Sequence, residues 1–317
     1  MAGWSIARRL FAVDILTMAF AVALGCGAAA RWSQVPGWLP IAAGCAAIAA
    51  GIPFLGWLRA HLDLAAVRVL HDWVFALCVY PIYLMVLAAA GSAHSGRVFD
   101  AWLIDADRWL VGGDPTVWCA AIAHPALTEL LQVAYATFWF LPLAVGLEGY
   151  LRGPRPVVRQ WAFVCACGFF LSYAGYLVLP AVGPRFTLHG ADWTARDLPG
   201  LWLTPALRAF VDSGGLAPVG APAADVLRLA PRDAFPSGHT LVTVLAMAWV
   251  WRYRLRVRWV VTVAGALLIP ATVYLRYHYV ADVVAGAVLA LACLALAPRL
   301  HGWLCRQLGT LDAERTI

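Results

Sequence analysis

Val280-Ala-Asp-Val-Val-Ala-Gly-Ala-Val-Leu-Ala-Leu-Ala-Cys-Leu-Ala-Leu-Ala-Pro298 is the stretch that decides the fold. A single charge, Asp282, stands near its start. The rest is apolar over close to the roughly 20 residues that a helix needs to cross a bilayer. Seven other runs read the same way: 10–30, 36–57, 73–91, 127–149, 160–180, 239–252 and 259–275. The runs at 239–252 and 259–275 are short, which predicts upright helices or a locally thinned bilayer. The chain is 63% hydrophobic and only 13% charged, where a soluble domain carries roughly 25% charge. Its mean hydropathy is +0.77. The expected fold is an all-α polytopic membrane bundle of about eight transmembrane helices. Two helices fall in 1–72, a membrane core in 73–300 and a cytoplasmic tail in 301–317.

The 23 basic residues are all arginine. A pI near 9.0 can signal nucleic acid, but these arginines flank apolar runs, so no nucleic-acid partner is expected. They read as topology signals and as contacts to membrane lipids. With the N-terminus in the cytoplasm, 14 of the 23 fall inside, and Arg252-Tyr-Arg-Leu-Arg-Val-Arg258 is the clearest anchor. That orientation predicts a multi-pass protein of the cell (inner) membrane with both termini cytoplasmic. The run from Leu10 to Ala30 exceeds a usual signal-peptide core, which predicts a retained first helix. The eight cysteines sit mostly inside apolar runs without a CxxC pair, so they read as core residues.

Polar chemistry gathers at three run boundaries. Pro236-Ser237-Gly238-His239 breaks the chain just before an apolar helix. Ser237 can cap that helix, and the helix N-terminus there suits an anion, with His239 in the first turn. Arg276-Tyr-His278-Tyr-Val-Ala-Asp282 follows, with His278 placed 39 residues after His239. His278 and Asp282 are four apart and share a helical face, so the carboxylate can orient one ring nitrogen and leave the other as a nucleophile. Gly183-Pro184-Arg185 closes the run at 160–180 with an arginine at a rigid corner, suited to phosphate. On the predicted topology all three blocks face the extracytoplasmic side. Residues 99–115, with Asp100, Asp105 and Asp107 among Phe99, Trp102 and Trp109, predict an interfacial helix with a solvated acidic face. Residues 181–237 predict a capping loop.

These blocks resemble the type 2 phosphatidic acid phosphatase superfamily over roughly residues 99–290. The Arg-Tyr-His-Tyr-x-x-Asp block and the stretch at 100–115 are similar to the branch of inositol phosphorylceramide synthase. The resemblance implies a six-helix phosphatase-like core and a metal-independent reaction without cofactor. It implies His278 as the nucleophile that forms a phosphohistidine, Asp282 as its orienter and His239 as acid and then base. Ser237, Gly238, Arg185 and Arg276 would bind the phosphate. The substrate would be a lipid phosphate ester and the acceptor water or an alcohol such as inositol or a sugar. The chain departs from the superfamily pattern in having no lysine, in its Pro184-Arg185 order and in Thr272 where an arginine is usual. The competing reading is a lipid transporter or flippase that uses the same polar cluster for binding alone, and a third is a non-catalytic receptor or scaffold. Polar groups at helix ends, away from the bilayer midplane, favour the enzyme.

Overall fold

The computed structural model describes residues 8–189, 197–215 and 223–312. Its long helices are α1 (Ala12–Ala30), α2 (Trp38–His61), α3 (Ala65–Ser92), α4 (Asp100–Val111), α5 (Pro125–Ala136), α6 (Phe140–Arg152), α7 (Arg155–Val178), α8 (Thr204–Gly214), α9 (Gly238–Arg252), α10 (Arg258–Tyr274) and α11 (Val280–Leu308). No strand occurs among the described residues. Each of the eight expected runs falls on helix. By length and composition α1, α2, α3, α7 and α11 can cross a membrane, and α5 with α6, bent by 47° at a short break, makes a sixth. The other two, α9 and α10, have 15 and 17 residues. At 1.5 Å per residue they reach only about 23 and 26 Å, short of the roughly 30 Å hydrocarbon core.

The bundle is organised around α7. Two-thirds of its apolar window is buried (67%), against 28–44% for the other long spans, and it packs against α1, α3, α6, α9 and α11. Small residues permit the closest approaches. A Cβ on Gly168 of α7 would lie 2.6 Å from Leu245 of α9, and one on Gly286 of α11 would lie 2.5 Å from the Ser237 carbonyl. The segments at either end of the expected core pack onto it. α3 starts at Ala65, so a boundary at 72/73 would cut it, because Asp72 is neutralised in place by Arg59 at 2.8 Å. At the other end α11 runs through residue 301 to Leu308. Asp312 then accepts the Ala12 N–H, and the Leu311 N–H reaches the Leu10 carbonyl at 2.9 Å. The two ends of the described chain therefore meet, at the end of the bundle away from the histidines. Residues 190–196 and 216–222 of the expected capping loop, and 313–317 of the expected tail, lie outside the described residues.

The interfacial helix forms as α4, but its acidic face is not solvated. Asp100 and Asp107 are buried, at 3% and 2% exposure, and only Asp105 is open to solvent. Both buried carboxylates are engaged by backbone N–H groups of neighbouring segments, which offsets the cost of removing them from water.

Candidate active site

Three chain corners meet at the open end of the bundle: 180–187 after α7, 233–239 leading into α9, and 275–282 leading into α11. Ser237 caps α9, its Oγ accepting the Thr240 N–H at 3.1 Å. Asp282 does the same for α11, its Oδ2 accepting the Tyr279 N–H at 2.8 Å. The two corners are joined where the Ser237 N–H donates to the Asp282 carbonyl at 3.0 Å. His239 and His278 are thereby brought side by side.

His278 is 3% exposed. Its Nδ1 lies 2.8 Å from the Ala234 carbonyl, and its Nε2 lies 3.2 Å from His239 Nδ1. A carbonyl only accepts, so Nδ1 carries the proton and Nε2 presents a lone pair. His239 Nδ1–H is then the donor between the rings. Burial pushes the His278 pKa down to about 4, with Asp233 and the Ala234 carbonyl opposing the shift, so the ring is neutral near pH 7. The orienting bond expected from Asp282 belongs instead to Ala234. Asp282 stays 3.4 Å from Nδ1, at ion-pair range but with its shortest bond spent on the helix cap. His239 is held by a stack on Tyr135, centroids 4.6 Å apart, and by Phe138 at 4.2 Å.

The histidines open on a cavity of about 130 Å³, whose wall also includes Gly238, Arg185, Asp233, Tyr277 and Trp139. Arg185 follows Gly183, whose φ of +90° and close approach to the Tyr277 carbonyl suit only glycine. Its guanidinium lies over the Phe186 and Tyr277 rings and pairs with Asp212 at 2.7 Å. Burial opposes the Arg185 charge, but Tyr277 and Asp212 outweigh it and raise the pKa above the ordinary arginine value. Two other expected phosphate ligands sit elsewhere. Arg276 is not part of the cavity wall, and it forms a buried ion pair with Asp197 at 2.9 Å. Ser237 is fully buried and spends its hydroxyl on the cap. The structure thus assembles His239, His278, Asp282, Gly238 and Arg185, while Arg276 and Ser237 support the corners.

Three further residues shape the site. Asp100 Oδ1 accepts the Gly183 N–H at 2.8 Å and the Tyr279 O–H at 2.9 Å, while Oδ2 accepts the Val182 N–H at 3.0 Å. It ties the Arg185 corner to the His278 corner. Asp107 accepts the N–H groups of Val280 and Ala281, at 3.0 and 2.7 Å, and so caps α11 from outside. Asp233 lines the cavity and accepts the Tyr83 O–H at 2.6 Å. The spacing of seven between Asp100 and Asp107, two helical turns on one face, was the available signal for the first two. Asp233 offered none. Among the described residues, the His, Cys and Asp side chains close enough to share a metal are His301, Cys305 and Asp312, at the opposite end.

The chain is thus an all-helical bundle of membrane-span length with paired histidines and an arginine around one cavity. The sequence matches the PAP2 superfamily over residues 101–296, more than half of the chain, and the protein belongs to that superfamily. It is similar to a PA-phosphatase related-family protein of Dictyostelium discoideum, 26% identical over 185 residues, which cover 53% of this chain and 31% of that protein. The matched part therefore spans about a third of that relative's length. No solved structure matches the chain.

Proposed function

We propose that the protein cleaves a lipid phosphate ester through a phosphohistidine on His278. The observation that carries this reading is the His278 ring itself. Nδ1 is pinned to a carbonyl, and the Nε2 lone pair is aimed at His239 on the wall of the Arg185 cavity. Substrate entry displaces the His239 N–H from that lone pair. Nε2 then attacks phosphorus, the P–O bond to the lipid breaks, and His239, which takes up a proton as the phosphate anion binds, gives it to the leaving oxygen. In the second half-reaction neutral His239 takes a proton from the attacking water or alcohol, and the P–N bond breaks. Arg185 and the N-terminus of α9 at Gly238 stabilise the equatorial oxygens. No step calls for a metal.

Transfer to an alcohol, as in the inositol phosphorylceramide synthase branch, draws support from Asp233. A carboxylate beside a phosphate site repels phosphate but accepts hydroxyl groups, as an inositol or sugar acceptor requires. Binding without turnover is the poorer reading, because the carboxylates within the apolar runs are occupied. Asp14 accepts the Phe11 N–H and pairs with His71, Glu129 takes three backbone N–H groups, and Glu148 takes two. We further propose eight crossings, with the arginine-rich end cytoplasmic and the histidines extracytoplasmic. The test of the chemistry is product analysis of purified protein in detergent with EDTA, over a panel of lipid phosphates with and without inositol. Phosphate or a new phosphodiester should appear and vanish in His278→Ala; turnover that survives this substitution refutes the mechanism.

A further inference from the structure

A second cavity, larger than the one at the histidines, lies elsewhere in the bundle. It measures about 260 Å³ and runs between α3, α6 and α7 toward the opposite end of the bundle. Its wall is apolar for most of its length, through Phe75, Val79, Leu143, Ala162 and Cys165. It ends at the stacked pair Trp139 and Phe169, centroids 5.6 Å apart, which also line the histidine cavity. Along α7 it reaches from Arg155 to Phe169, about 21 Å at the helical rise. That length exceeds the roughly 15 Å of one leaflet's hydrocarbon. Its volume lies just under the roughly 300 Å³ at which pockets for small ligands begin, which suits one extended chain.

The other end is polar and carries excess positive charge. Arg155 and Arg159 line it with Asp72 and Tyr150. Asp72 is already engaged by Arg59 at 2.8 Å, by Arg159 at 3.6 Å and by the Tyr150 hydroxyl at 2.9 Å. Arg155 lies over the Tyr150 ring at 4.3 Å, with no carboxylate within ion-pair range among the described residues. Asp312, whose charge also acts on Arg159, is bonded to Ala12 and His301. Two guanidinium groups therefore share one carboxylate, and Arg155 has none, at the mouth of an apolar slot.

We infer that this slot binds an anionic phospholipid of the leaflet opposite the histidines. Its headgroup phosphate rests on Arg155 and Arg159, and one acyl chain extends to Trp139 and Phe169. The excess charge selects the anionic headgroup, and the apolar wall suits the chain. The site is separate from the proposed reaction, so the test needs no turnover. Delipidated protein in detergent is titrated with phosphatidylglycerol and with phosphatidylcholine, and bound lipid is counted by native mass spectrometry. One phosphatidylglycerol should bind in preference to phosphatidylcholine. Arg155→Gln should weaken it about tenfold, the loss of one charge-assisted contact. Ala162→Phe, which fills the slot from a partly exposed position, should weaken both lipids; Ala76→Leu is the second filling variant should the first fail to fold. Equal affinity for the two lipids overturns the headgroup assignment. Unchanged phosphatidylglycerol binding in the folded filling variants overturns the slot.

Discussion

Asp100→Asn tests the reasoning most directly, because it keeps volume and removes only charge and one acceptor. The carboxylate takes three donors, two backbone N–H groups at Val182 and Gly183 and the Tyr279 hydroxyl. An amide has one oxygen. Whichever way it turns, its NH₂ faces a backbone N–H, and that donor is left buried without an acceptor. A hydrogen bond to a charged group is worth about 1.5–3 kcal/mol. Burial already pushes the Asp100 pKa up, so removing the charge returns part of this, and the net loss is about 2 kcal/mol. Function should suffer more than stability. Val182 and Gly183 carry Arg185, and Tyr279 adjoins His278, so the substitution loosens the arginine relative to the nucleophile. A misplacement of about 1 Å costs on the order of 100-fold in rate. The assay is lipid phosphate turnover beside thermal unfolding, with the exposed Asp105→Asn on the same helix as control. Asp100→Asn should lose most activity while remaining folded, and Asp105→Asn should match wild type. Wild-type turnover in Asp100→Asn would refute the claim that this carboxylate sets the site.

The pH profile gives a second test. His278 attacks only when neutral, so activity should be present above its pKa of about 4 and be lost as pH falls through it. Asp233 raises that pKa and Arg185 lowers it, so Asp233→Asn should move the acid limb to lower pH and residual activity in Arg185→Gln should show it moved higher. Shifts in the reverse sense would remove both residues from the nucleophile's surroundings. The same depressed pKa makes His278 a source of acid lability. Its contribution to stability is complete above the unfolded value near 6.5 and declines as pH falls toward 4; an unfolding curve of His278→Gln should lack that component. Arg185→Gln should lower kcat by about 100-fold or more, the scale of one removed charge-stabilising donor. Arg276→Gln, outside the cavity, should act mainly on thermal stability, and an equal loss of kcat would place its guanidinium at the phosphate.

The apolar runs located the bundle because a membrane span must be long and uncharged, and that is a property of composition. The runs at 239–252 and 259–275 agree closely with Gly238–Arg252 and Arg258–Tyr274. The run at 73–91 began too late because Arg68, His71 and Asp72 interrupt the pattern, although a polar residue ends a helix only when it lacks a partner. Asp72 has Arg59, and His71 has Asp14 at 2.9 Å. At the site, the two histidines and Arg185 were legible because each sits at the boundary of an apolar run, His239 and Arg185 beside a Gly or Pro and His278 four residues before Asp282. The work of Asp100, Asp107 and Ala234 was not, because each joins a side chain to a backbone group of a distant segment, and a backbone group carries no sequence signature.

That difference follows from what a membrane bundle can do with a carboxylate. Helix N-termini and chain corners expose N–H groups that water would satisfy in a soluble protein, and within a bilayer protein they need internal acceptors. Arginine has none to offer, so the task falls to the acids. Of 17 acidic residues, Asp14, Asp100, Asp107, Glu129, Glu148, Asp282 and Asp312 each accept at least one backbone N–H. Three of these seven surround the corners that carry Arg185 and His278. Arg185 itself is held beside the neutral imidazole by its ion pair with Asp212. The acids that look like candidate metal ligands or catalytic groups in the sequence are thus the framework of the site, and the proposed chemistry falls to His239 and His278, which the capped corners hold side by side.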